Sequence, residues 1–465
     1  MPRRLWAWFA LCWVTTLVLA VGVTWMGLGG ADAARERRET RGLLAPRVTG
    51  GPTFGAPSPV FAADDAAGPV PTASGVQAAL RPLLGDPRLG PGVAVSVRDT
   101  ESGQVLLGRR EADLVAPAST AKLVTATGIL AVRGPYHRFT TRVVAGAKPG
   151  EVVLIGGGDP TLALGPTGSY AGAARLDVLA AQVKKVAGGP VRRVVVDTSL
   201  FTGPTTGPGW GAGDVAGGFV APVYALTVNG GRLQPVKAAT APRTAEPDLF
   251  AGRAFARLLG SPDAEVERGT AVPLARELGV VESPPVLDLV ERMLTASDNV
   301  IAESLARHVA VAEKRPPTFA GAVDAARAVL ARLGVDPAAD RLVDGSGLSP
   351  DNRISTALLA KLLVLAADPG HPELRGVLTG LPVASYSGTL ANRFRAGGPD
   401  DGVGTVRAKT GTLTGVSALA GVVRTADGRV LAFVAVADRV PAGGRVGAEA
   451  ALDRIGATLA GCGCQ

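Results

Sequence analysis

Histidine and cysteine are nearly missing from this chain, with three of each among its 465 residues. The three histidines are His137, His308 and His371; His308 sits within a helix-like run and His371 follows Pro369-Gly370, so neither of these two sits in a motif-like setting. A Ser-His-Asp triad is therefore poorly supported. Cys12 falls in an apolar run, and Cys462 and Cys464 flank a single residue at the C-terminal end. The last two can pair in an oxidising compartment, but two cysteines without a neighbouring histidine are too few to hold a metal. Aromatic residues make up 4%, and the net charge of +8 forms no basic stripe interleaved with aromatics. That argues against nucleic acid as a partner. Lysine is scarce as well: 40 of the 48 basic residues are Arg and eight are Lys. A lysine inside a motif therefore carries weight. Gly156-Gly157-Gly158 lacks a following Gly-Lys-Ser/Thr, so it reads as a turn and not as a phosphate loop. No internal repeat or cofactor motif is present.

What the chain has in quantity is apolar residues, 47%, with 62 glycines and 35 prolines. This composition supports a substantial core cut by many turns, and the length suits two or three globular units. A basic head, Met1 to Arg4, precedes an almost uncharged run from Leu5 to Gly30. The run is long enough to span a bilayer as a helix, with Arg3 and Arg4 keeping the N-terminus cytoplasmic. Ala31-Asp32-Ala33 also resembles a cleavage site, so residues 1–33 read as a membrane anchor or signal peptide, the long run favouring the anchor. Either reading places the remainder outside the cytoplasm. Residues 34–75, rich in Ala, Pro and Gly, read as a flexible spacer.

Periodicity then predicts a helix over Val76–Leu84 and a hairpin from Val93–Val97 through Glu101-Ser102-Gly103 to Val105–Leu107. A helix follows from Ser119 to Ile129. Strands are expected at Val152–Ile155 and Val191–Val196, with helices at Leu176–Val186 and Pro247–Leu259. Further helices are expected at Val286–Leu294, Val300–Ala312, Ile354–Ala366 and Val446–Leu459. Strands at Val406–Thr412, Val416–Val423 and Val430–Ala437 close the pattern, the last two joined by the turn Asp427-Gly428. Strands at both ends around a helical middle predict an α+β body. Its antiparallel sheet comes from residues 76–140 and 285–465, with 141–284 inserted.

Three short stretches carry chemistry. In Ser119-Thr120-Ala121-Lys122 the lysine lies one turn from the serine on the same face, close enough for its amine to reach the hydroxyl. Desolvated among Leu123, Val124 and Ile129, that amine can lose its proton and act as base toward Ser119. In Ser297-Asp298-Asn299, between two helices, Ser297 can relay a proton toward a leaving amine, and Asn299 can hold Lys122 and a substrate amide. In Lys409-Thr410-Gly411-Thr412, Lys409 on an edge strand is expected to keep its charge, and Gly411 leaves room for a peptide backbone. Thr410 and Thr412 offer hydroxyls to a terminal carboxylate, and the backbone N–H groups of Ser119 and Thr412 form a candidate oxyanion hole. Taken singly, each stretch is as well read as a helix cap or an ordinary strand end. Their occurrence in this order, behind an export signal, reverses that reading.

Together these stretches resemble the signature set of penicillin-binding proteins and serine β-lactamases. Further segments narrow the resemblance: Gly158-Asp159-Pro160-Thr161-Leu162, Ala221 to Asn229, Asp344-Gly345-Ser346-Gly347-Leu348-Ser349, Leu381 to Ala384, Gly388-Thr389-Leu390 and Ala408 to Leu413. They are similar to segments of the low-molecular-mass class C penicillin-binding proteins, the D-Ala-D-Ala carboxypeptidase/endopeptidase family. The resemblance covers residues 80–460 and implies a transpeptidase-like domain, an antiparallel sheet flanked by helices, interrupted by an inserted accessory domain. It implies peptidoglycan stem peptides as substrates, β-lactams as covalent inhibitors and no cofactor. A β-lactamase shares the three motifs, but the inserted region and the added segments argue against it. A silent wall-binding protein of the same fold would not need Ser119, Lys122, Ser297, Asn299 and Lys409 intact. Relatives often carry Arg after the Gly-Ser-Gly-Leu-Ser run, where this chain has Pro350. Arg353 is close enough in sequence to substitute.

Overall fold

A computed structural model describes residues 68–238, 240–337, 339–395 and 402–465. The expected anchor or signal peptide and most of the spacer lie outside these residues. The described body opens with α1 (Ala73–Leu80), whose N-terminus is capped by the Thr72 side chain, which accepts from Gly75 N. It starts earlier than the periodicity predicts and ends before Pro82. The strands β1 (Val93–Asp99) and β2 (Val105–Arg109) follow as a hairpin, then β3 (Leu114–Val115) and α2 (Lys122–Arg133). The next stretch holds β4 (Thr140–Ala145), β5 (Glu151–Ile155), α3 (Leu176–Val186), β6 (Arg193–Asp197), α4 (Pro247–Leu259), β7 (Glu265–Arg268) and β8 (Glu277–Glu282). The helices α5 (Val286–Ala296), α6 (Asn299–Ala312) and α7 (Phe319–Arg332) lead to β9 (Ile354–Ser355) and α8 (Thr356–Ala367). The chain closes with β10 (Val406–Leu413), β11 (Val416–Arg424), β12 (Val430–Ala437) and α9 (Arg445–Ala460).

Both ends of the described chain build one five-stranded antiparallel sheet, in the order β10-β11-β12-β1-β2. β11 and β12 are buried along nearly their whole length because both sheet faces are covered. Alternate residues serve the two faces: Ala418, Ala420, Val422, Val434 and Val436 join the cluster containing α2 and α8. Leu419, Val423, Leu431 and Phe433 join the other cluster, with α1 and α9. α2 is buried from Lys122 through Leu130, the pattern of a helix enclosed on every side. It packs against α5, α6 and α8. Its apolar surroundings are what take Lys122 out of water.

Between Thr140 and Glu282 a second sheet forms in the order β7-β6-β5-β4-β8. β5, β6 and β7 run parallel, while β4 pairs antiparallel with β5 and β8. α3 and α4 cover one face through Leu176, Leu179, Val183, Phe255 and Leu259. Cys462 and Cys464 are joined by a disulfide next to α1, where Thr72 N donates to the Cys464 carbonyl at 2.8 Å.

The main sheet is fastened across its greatest sequence distance by a buried ion pair. Asp99, at the end of β1, accepts from Arg429 Nη2 at 2.7 Å, and Arg429 lies in the turn before β12. Both side chains are buried, and Asp99 also accepts from Ser102 N at 2.8 Å. Removing Asp99 leaves Arg429 with only the solvent-exposed Glu101 as a charged partner, at 2.7 Å. The loss then falls toward the lower end of the range typical of breaking a buried pair, about 3–5 kcal/mol. Asp99→Ala is therefore expected to lower unfolding stability by that amount in urea titration of the purified protein. A loss below about 1 kcal/mol would show the pair to be dispensable.

Candidate active site

Ser119 lies in a tight turn, Ala118–Ala121, and α2 begins only at Lys122. The expected helix start at Ser119 is thus displaced by one turn, and Ser119 does not cap the helix. The cause is tertiary. Ala118 adopts a left-handed backbone, with φ 46°, which costs a non-glycine residue energy and persists only where neighbours enforce it. Two glycines let those neighbours close in. A Cβ on Gly347 would lie 1.9 Å from the Ala118 carbonyl oxygen, and one on Gly411 would lie 2.8 Å from the Pro117 oxygen. Gly411 thus makes room for the chain's own nucleophile turn, whatever space it also leaves for a substrate.

The three motifs meet around two lysines. Lys122 Nζ donates to Ser119 Oγ at 2.9 Å, Asn299 Oδ1 at 2.6 Å and the Ser346 carbonyl at 2.7 Å. Lys409 Nζ donates to Ser297 Oγ at 2.9 Å and to the Thr410 carbonyl at 2.8 Å. Ser297 closes α5 in a left-handed conformation, φ 57° and ψ 37°, which turns the chain sharply into α6. Asp298 caps α6 by accepting from Val300 N and Ile301 N, and its other oxygen accepts from Tyr170 Oη at 2.8 Å and Arg232 Nη2 at 3.2 Å. Asn299 Nδ2 donates to the Phe219 carbonyl at 3.1 Å. Thr410 Oγ1 donates to Thr389 Oγ1 at 2.8 Å, while Thr412 is exposed. Ser119, Ser297 and Asn299 are half-buried, so both serines and the asparagine border solvent above a floor of buried amines.

A loop without a catalytic motif completes the floor. Asp344 accepts from Gly347 N, Ser349 N, Asn352 Nδ2 and Trp210 Nε1, all between 2.7 and 2.9 Å. Glu303, one turn beyond Asn299 on α6, accepts from Gly345 N at 3.0 Å and Ser346 N at 2.8 Å. These bonds aim the Ser346 carbonyl at Lys122. The spacing from Asn299 to Glu303 is a readable same-face signal. Tyr170 and Arg232 come from the stretch that holds the second sheet and have no such signal.

Burial pushes the Lys122 amine down from 10.5 to about 8, against the opposing pull of Asp344, Glu303 and Asp298. Of its three acceptors, two are carbonyl oxygens that cannot donate. A neutral Lys122 keeps two N–H bonds for them, and its lone pair is left facing Ser119 Oγ, the one partner able to give up a proton. Lys409 departs from expectation. It is as completely buried as Lys122, no carboxylate among the described residues pairs with it, and desolvation together with the Lys122 charge holds it well below 10.5. β10 is an edge strand, but the Ser119 turn packs against it, so the edge is not open to water. Burial therefore does not set the two lysines apart.

The histidines stay outside this constellation. His308 is stacked on Phe139 at 3.6 Å and pushed down to about 3 by burial, and His371 pairs with Glu373. Arg353 Nη1 donates to the Pro350 and Asn352 carbonyls at 2.6 and 2.8 Å, so it staples its own loop and does not reach out as a substitute. Among the described residues no group of three or more His, Cys, Asp or Glu is placed to hold a metal ion.

A serine hydroxyl within bonding distance of a buried lysine, beside a second serine–lysine pair on the sheet edge, defines an active-site-serine acyl-transfer enzyme. The chain belongs to the D-Ala-D-Ala carboxypeptidase 3 (S13) family, which matches residues 76–242 and 234–459. It is 42% identical over 408 residues to a carboxypeptidase of Mycobacterium tuberculosis, covering 86% of this chain and 87% of that one. It is 40% identical over 411 residues to a carboxypeptidase of Mycolicibacterium smegmatis, again covering 86% and 87%. The fold matches the crystal structure of penicillin binding protein 4 from Haemophilus influenzae with a TM-score of 0.68 at 23% identity, covering 82% of this chain and 97% of that one. The activity is that of a serine D-Ala-D-Ala carboxypeptidase.

If Lys122 is the base, acylation by a β-lactam needs its neutral form. At pH 7 about one molecule in ten holds it when the amine titrates near 8. The acylation rate constant is then expected to rise with pH and level off above about 8. Lys122→Arg, which cannot give up a proton, should lower that plateau about 10²–10⁴-fold. Stopped-flow acylation against pH checks both, and a flat profile or a fast Arg variant would remove Lys122 from this role.

Proposed function

We propose that the protein trims peptidoglycan stem peptides outside the cytoplasm by forming an acyl-enzyme on Ser119. The observation that carries this reading is the 2.9 Å contact between Lys122 Nζ and Ser119 Oγ. Neutral Lys122 takes the Ser119 proton as Oγ attacks the carbonyl between two terminal D-alanines. Negative charge develops on the carbonyl oxygen, toward the backbone N–H groups of Ser119 and Thr412. Ser297, held by Lys409, gives its hydroxyl proton to the departing amine and is reprotonated by the proton that Lys122 took, so the amine leaves as D-Ala and Lys122 is neutral again. Asn299 holds the stem amide, and Thr410 and Thr412 receive the terminal carboxylate. That carboxylate supplies the negative charge Lys409 lacks in the free enzyme and so favours its protonated form. Water then releases the shortened stem.

The same steps cleave a crosslink when the departing amine belongs to a neighbouring stem, which extends the reading to endopeptidase activity. A β-lactam presents a strained amide to Ser119 in place of the dipeptide. The Haemophilus influenzae fold relative has also been crystallised with a β-lactam. The Leu5–Gly30 run serves as the membrane anchor that keeps the enzyme beside the wall.

Ser119→Ala is expected to abolish both covalent penicillin labelling and D-Ala release from muropeptides, read by mass spectrometry. A surviving adduct would move the nucleophile elsewhere, and rapid turnover of penicillin by the unmodified enzyme would make it a β-lactamase. Cell fractionation should find the protein in the membrane pellet, its body accessible to protease from the outer face. Full recovery as a soluble form beginning at Ala34 would make the segment a cleaved signal.

A further inference from the structure

We propose that Glu303, which lies outside the three motifs, is a positioning residue that both aims the Ser346 carbonyl at Lys122 and sets the pH at which that amine becomes free. The proposal rests on Lys122 being the base. Glu303 is 1% exposed, and its two oxygens accept the backbone N–H groups of Gly345 and Ser346 at 3.0 and 2.8 Å. The Ser346 carbonyl in turn accepts from Lys122 Nζ at 2.7 Å, so a single residue links carboxylate and amine.

Other ionisable groups surround the amine. Asp298, in the turn before α6, is bonded by Arg232 and Tyr170. Asp344, on the facing loop, accepts four neutral N–H donors that fix the loop's own shape. Lys409, on β10, is held well below its ordinary basicity by burial and by the Lys122 charge. Arg307, one turn beyond Glu303 on α6, sends its guanidinium to the carbonyls of Thr202, Pro204 and Pro317 and to the Phe319 ring, not to the carboxylate. Like Asp344, whose pull on Lys122 is the larger, Glu303 forms hydrogen bonds only to neutral groups, and its field falls on Lys122 and also on Arg307. Burial and the neighbouring Asp344 charge push its carboxyl up to about 7. Its ionisation and the release of the Lys122 proton thus fall in adjoining pH ranges. An ionised Glu303 favours the ammonium form, so it holds the base in reserve near neutrality.

The sign follows. Glu303→Gln keeps an acceptor for one backbone N–H and removes the charge, so Lys122 should lose its proton more readily. The acidic limb of β-lactam acylation is expected to move to lower pH by roughly one unit, whereas a purely structural role would lower the rate and leave the limb in place. Glu303→Asp, which keeps the charge, should keep the limb where it is in the unmodified enzyme. A limb that stays fixed or moves upward in a folded Gln variant overturns the proposal.

The unmodified protein gives an independent reading should the variant not fold. With lysines labelled at the ε-carbon, the Lys122 resonance in an NMR pH titration, assigned through Lys122→Arg, should titrate over a wider pH range than one proton allows, because it reports the ionisation of Glu303 as well as its own. A curve that a single proton fits throughout overturns the proposal. If acylation by the unmodified enzyme shows no acidic limb at all, Lys122 is not the base. That outcome is separate from a limb that exists and ignores Glu303.

Discussion

A lysine amine taken fully out of water must find acceptors for all its protons, and Lys122 finds three from three parts of the chain. Ser119 precedes its own helix, Asn299 lies 177 residues away and the Ser346 carbonyl 224 residues away. The cost of burying an unsatisfied ammonium ties α2, the α5–α6 turn and the 344–349 loop into one arrangement. Each of those elements carries its own device for reaching the amine. Ser297 turns left-handed, Asp298 caps α6, and Gly347 admits the Ala118 carbonyl at a distance no side chain would allow.

The second amine is satisfied less completely. Lys409 has a hydroxyl and a carbonyl as acceptors and, among the described residues, no carboxylate, while Lys122 draws on three acidic groups. Two cations so close together in a dry site oppose each other, and the acidic neighbours favour the charge on Lys122 over Lys409. An anionic substrate group arriving near Lys409 shifts that balance. Substrate binding and the readiness of the base are thereby linked through charge alone.

Much of the framework was legible because its signals are local. Asp427-Gly428 between two apolar runs reads as a hairpin, and β11 and β12 pair around it in register, Arg424 opposite Val430. The stop at Ser297 reads as a break between helices, and α5 ends there. What was not legible depends on distant partners. β7 and β8 edge the second sheet with charged, half-exposed residues that do not alternate, and α7 presents an alanine-rich stripe too weakly apolar to stand out. At the site, the serine and lysine types at their spacings named a chemistry. The displaced helix start, the full burial of Lys409 and the Arg232–Tyr170–Asp298 contacts come from packing between segments far apart in sequence.

The buried pair between Asp99 and Arg429 bears on the order in which the molecule can assemble. The two residues are separated by 330 positions, and the strands they fasten are the first and last parts of the same sheet. A chain emerging from its N-terminus cannot complete that sheet until β12 is available, and contacts of such long range close slowly. α8, which packs on α2 from one side, would meanwhile lack the sheet face against which it packs from the other. The site's second amine, Lys409 on β10, is likewise supplied by the last part of the chain, so the full constellation of two serines and two lysines forms only when that sheet is complete.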